Sequence, residues 1–66
     1  MSATERQLAY ARSLWRELRE LGCSEVVLEK LGDNARRAKS DKGEFGKFIR
    51  ALLGLRDEYR GVRRRR

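Results

Sequence analysis

The apolar residues of this chain recur at helical spacing, and that period limits its fold more than any other feature. Leu8, Ala11, Leu14, Trp15, Leu18 and Leu21 follow one another at steps of three and four, the repeat of one face of an α-helix. Projected at 100° per residue, they fill a single arc with Ala11 and Leu18 near its centre. Phe45, Phe48, Ile49, Leu52, Leu55 and Tyr59 repeat the pattern later in the chain. Charged residues make up 41% of the sequence and proline is absent. So high a charge is compatible with disorder, but disorder does not arrange apolar residues into arcs. With 66 residues there is room for one domain and a thin core. The expected fold is all-α, a small three-helix single domain.

Local signals set the expected boundaries. Thr4-Glu-Arg-Gln7 fits a capping box, in which the hydroxyl and the third residue on satisfy each other's backbone N–H groups. Ser2-x-x-Glu5 is an overlapping candidate. The first helix is expected over residues 4–21, with Gly22 as a left-handed stop. Ser24 caps a short second helix carrying Val27, Leu28 and Leu31, closed by Gly32. Residues 33–40 are weakly patterned. Ala35 and Ala38 fit one more turn facing the core, which would make four helices, or an ordered loop. Asp41-x-x-Glu44 opens a third helix over about 41–59, with Gly46 and Gly54 inside it. The helical domain is expected over 4–59, followed by a disordered Arg-rich tail over 60–66. Trp15 is expected against the third helix, and Tyr10 and Leu53, at the edges of their arcs, at the surface.

Several kinds of chemistry are short of residues. There is no His and one Cys, so a histidine base, a Cys/His dyad and a Cys/His zinc site are excluded. The expectation is a chain that is not an enzyme and takes no cofactor and no metal. Cys23 reads as a small, partly buried residue. The opening residues lack a basic and then apolar stretch, and no apolar run approaches membrane-spanning length. The expected setting is cytoplasmic, without a membrane partner.

Charge indicates a class of partner. Seventeen Lys and Arg face ten Asp and Glu, a net charge of +7. Arg60, Arg63, Arg64, Arg65 and Arg66 lie within the last seven residues, among which there is no acid. A cationic end of this kind holds a polyanion by releasing its condensed counterions, and the guanidinium fork matches phosphate oxygens. A solubilising end is one alternative, and contact with a membrane surface or an acidic protein another. A second cluster, Arg36, Arg37, Lys39, Lys42, Lys47 and Arg50, surrounds the start of the third helix, where cations and free N–H groups can act together on one phosphate. Its alternative is a solvated connector. A third group, Arg12, Arg16 and Arg19, forms a stripe bordering Trp15, as in grooves that hold single strands. There the alternative is an ordinary salt-bridged face with Trp15 in the core. A helix-turn-helix is disfavoured by the feeble stretch at 33–40 and by the want of side chains to read base edges. The expected partner is DNA or RNA, gripped by its backbone without sequence specificity. The alternative is a protein-interaction module or inhibitor, or self-association, with a helical face as the contact.

Thr4-Glu-Arg-Gln7, followed by Tyr10 and Leu14, resembles the opening of small helical modules of phage, plasmid and other mobile-element proteins, which also occur at the ends of DNA-processing enzymes. Ser40-Asp-Lys-Gly-Glu44-Phe45-Gly46-Lys47-Phe48-Ile49-Arg-Ala-Leu52 is similar to the later half of their pattern. It departs from that pattern at Phe45, where a small residue is usual, and at Gly43, which adds a residue before the Glu. The resemblance covers about residues 4–53. It implies a helical fold and a nucleic-acid-processing setting, and it carries over no catalytic residues.

Overall fold

In the computed structural model the backbone is described for residues 1–64 and the side chains for residues 1–61. Three helices follow one another: α1 (Glu5–Glu20), α2 (Glu25–Ala38) and α3 (Lys42–Arg64). The expected all-α domain is observed, and the described residues hold no strand.

α1 begins as its capping residues require. Thr4 Oγ1 accepts from the Gln7 N–H at 3.1 Å, and Gln7 Oε1 accepts from the Thr4 N–H at 3.0 Å, so Thr4 and not Ser2 is the cap. α1 ends in a Schellman motif. The Cys23 N–H donates to the Leu18 carbonyl at 3.0 Å and the Gly22 N–H to that of Arg19 at 3.2 Å, with Gly22 at φ +98°. This motif commonly brings the residue after the glycine onto the last turn, and Cys23 and Leu18 are both core residues. The Cys23 thiol beside its hydroxyl, and then burial, hold Tyr59 above the usual tyrosine pKa.

α2 is corrected against expectation. It does not close at Gly32, and residues 33–38 are not a loop: they are the further turn with Ala35 and Ala38 facing the core, joined to the helix, which runs unbroken to Ala38. Gly32 keeps a right-handed helical backbone, since Gly22 is the one glycine of positive φ among the described residues. Leu28, Leu31, Ala35 and Ala38 then form one stripe against the core, and this packing outweighs the roughly 1 kcal/mol that a mid-helix glycine costs.

α1 and α3 run in the same direction. Early in both, the Gln7 side chain donates through Nε2 to the Lys42 carbonyl at 3.3 Å. Late in both, Glu17 pairs with Arg56 at 3.7 Å and with Arg60. α2 returns between them, tied to the N-terminal segment by Ala3 N–H to the Lys39 carbonyl at 2.8 Å. The core is Ala11, Leu14, Leu18, Cys23, Leu28, Phe45, Ile49 and Leu52. α3 does not end at Tyr59. It continues to Arg64, so the expected tail begins as helix, and the remainder of that expectation lies outside the described residues.

Candidate functional site

The cations expected to bind a partner fall on separate faces. The first lies along the groove between α1 and α3. Gln7, Lys42, Gly43, Gly46, Lys47 and Arg50 line a shallow depression there. Its floor is backbone, because Gly43 and Gly46 carry no side chain. A Cβ at Gly46 would only reach ordinary contact with Gln7 Nε2, at 3.8 Å; its absence leaves the groove open and is not forced by packing. Lys47 Nζ lies 3.4 Å from Glu44 Oε2, and both side chains are mostly exposed, so solvent weakens the pair and a phosphate can displace it. Lys42 and Arg50 have no ion-pair partner among the described residues.

The expected help from free N–H groups at the start of α3 is absent. Asp41 Oδ1 accepts from Gly43 N at 2.9 Å and from Glu44 N at 3.2 Å. The Lys42 N–H donates to the Met1 carbonyl at 2.6 Å and the Phe45 N–H to that of Asp41 at 2.9 Å. With these donors taken and a carboxylate placed on the helix end, an anion is held here by side-chain cations or not at all. The α2–α3 connection, residues 39–41, is tighter than the sequence reading allowed.

The second face is the groove between α1 and α2. Leu8, Ala11, Trp15, Leu31, Ala35 and Phe48 make it apolar, and Arg12 stands at its edge. Trp15 is half-buried, and its Nε1 donates to the Leu28 carbonyl at 3.0 Å. The indole is therefore anchored on α2, where the sequence reading put it against the third helix. Phe45 and Phe48 line the same groove from α3, their ring centroids 5.4 Å apart. Arg36 adjoins Trp15 but is paired with Asp33 at 3.0 Å. Arg16 is exposed one position beyond the indole.

The remaining candidates stand apart from both grooves. Arg37 and Lys39 are exposed at the end of α2. Arg60 is no free tail residue but the partner of Glu17, and the side chains of Arg63, Arg64, Arg65 and Arg66 lie outside the described residues. One participant was missed in the sequence: Gln7 reads there only as a cap, though it also ties α1 to α3. Gly46 reads either as a tolerated weak helix position or as a place where α1 or a partner comes close, and it floors the groove.

Formal charge is spread over both ends of the bundle. The end formed by the start of α1, the end of α2 and the start of α3 gathers Arg6, Arg36, Arg37, Lys39, Lys42, Lys47 and Arg50 against Glu5, Asp33, Asp41 and Glu44, a surplus of three. At the far end, up to Gly61, Arg16, Arg19, Lys30, Arg56 and Arg60 face six carboxylates, a deficit of one before the four arginines at 63–66 are counted, and Arg12 lies between the two ends. Among the described residues no His, Cys, Asp and Glu side chains gather as a metal site, and no helix is long and apolar enough to cross a membrane. No family model, curated protein or solved structure matches the chain, so the likeness to mobile-element modules rests on its motif residues alone.

Proposed function

We propose that this chain is a small, non-catalytic accessory protein that holds nucleic acid by its backbone phosphates without reading sequence. One observation carries the reading: Lys42, Lys47 and Arg50 rim a groove floored by two glycines. Such a rim matches the spacing-tolerant, polyanionic surface of a phosphodiester chain. The groove's one amide, Gln7, already spends its oxygen on Thr4 and its nitrogen on Lys42, so it has little left to read a base edge. The motif resemblance favours a mobile element as the setting.

Titration with duplex and single-stranded oligonucleotides at about 50 and about 200 mM salt tests the reading. Log affinity falls with log salt. On duplex the double variant Lys42→Ala, Arg50→Ala flattens the slope by about 1.8, at roughly 0.9 per phosphate lost. Changing base composition alters affinity little. Absence of binding to either form at the lower salt sinks the proposal.

A second reading, a protein-docking module, is favoured by the apolar α1–α2 groove around Trp15. If the partner is a second copy, sedimentation shows a mass rising with concentration, and Gly32→Leu, which fills that groove, abolishes the rise.

A further inference from the structure

We infer that the polynucleotide held in the α1–α3 groove is single-stranded and stacks a base on Tyr10, an inference that rests on the backbone-binding reading above. Among the described residues Tyr10 is the most exposed aromatic, at 47%. The register of the parallel helices places it at the groove. Gln7 lies against Gly46 and Glu17 against Arg56, a separation of thirty-nine positions in both cases. Two helices rising equally per residue keep that offset, so Tyr10 stands level with Ile49, one position along α3 from Arg50. Tyr10 also follows Gln7 by three residues and thus shares its side of α1.

From Lys42 to Arg50 the cations climb about 12 Å along α3, and the register puts the exposed ring at the height of their upper end. A backbone tracked by cations, with a ring for a base to stack on, is how single strands are held without regard to sequence. A duplex keeps its bases paired and stacked on one another and offers this ring no free face. Trp15, the aromatic that the basic stripe suggests, is unsuited. Its indole N–H is committed to Leu28 and its ring lines the other groove.

The test uses the full chain with three probes: a short oligothymidylate, an abasic strand of equal length and a duplex of equal length. Stacking predicts that the abasic strand binds about 5- to 150-fold more weakly than oligothymidylate. Tyr10→Ala loses a similar factor on oligothymidylate, changes duplex affinity less than about twofold and leaves the salt slope in place. Tyr10→Phe retains the affinity. Circular dichroism confirms that the variants are folded, and the abasic comparison needs no variant at all. The inference is overturned if the abasic strand binds as well as oligothymidylate, or if Tyr10→Ala weakens neither strand or both alike. The backbone reading survives those outcomes so long as the wild type binds at low salt. Failure of the wild type to bind any probe removes both.

Discussion

At the scale of single residues, Trp15 shows how one polar atom changes what a large side chain does. Its position in the apolar arc sends the ring inward, but the indole N–H needs an acceptor once it leaves water. The Leu28 carbonyl supplies one at 3.0 Å, so the ring turns toward α2 and closes one wall of a groove. Trp15→Ala removes both the packing and this tie. The ring is only half-buried, so the expected loss is about 3 kcal/mol, the lower end for a large aromatic, read as a shift in the urea midpoint. Trp15→Phe should lose about 1 kcal/mol, the ordinary worth of such a hydrogen bond. If Trp15→Phe proves as damaging as Trp15→Ala, ring shape and not the bond to α2 governs this site.

At the scale of elements, α1 and α3 are locked at both ends. The early lock is Gln7 on Lys42. The late one is Glu17, which faces Arg56 and Arg60. Glu17 and Arg56 are 29% and 22% exposed, and Arg56 Nε is buried without a partner. Solvent still reaches the cluster, so its worth is nearer that of a surface pair than of a buried one. Glu17→Gln should cost about 1 kcal/mol in thermal melts, and less in high salt. Arg56→Met removes the unsatisfied nitrogen while keeping the stem's packing, so it should cost less than Glu17→Gln. The reverse ranking would show that the guanidinium, not the carboxylate, holds the contact.

At the scale of the whole molecule, the core formed by the described residues is complete before the terminal arginines begin. The residues packed in or on it span Ala3 to Tyr59, and the last cross-helix tie described is Arg60 to Glu17. Ending the chain after Gly61 should therefore leave the melting temperature nearly unchanged. Ending it after Tyr59 removes the Arg60 tie and should lower stability by up to about 1 kcal/mol. Equal melting of the two truncations would show that Arg60 contributes nothing to the fold. The same pair separates stability from binding, since loss of Arg63–Arg66 should flatten the duplex salt slope by about 3.6 if each neutralises one phosphate.

Much of this architecture follows from the sequence alone, because its causes act within a few residues. The arcs of α1 and α3, the Thr4 capping box, the Gly22 stop and the Ser24 and Asp41 caps all rest on contacts at one to five positions' separation. Lys42 and Lys47 were legible as candidates for the same reason, since charge and position can be counted along the chain. Other features were decided only when distant segments met. Gly32 reads locally as a stop, yet packing of Ala35 and Ala38 on the core carries the helix through it. Arg60 reads as a free cation until α1 brings Glu17 beside it. Trp15 reads as a core residue against the third helix, and Tyr10 as an edge residue, until the Leu28 carbonyl draws the first to α2 and the packing leaves the second exposed. A sequence shows which side chains share a helix face. Which edge of that face another helix covers depends on contacts dozens of positions apart, and the surface left to a partner is set there.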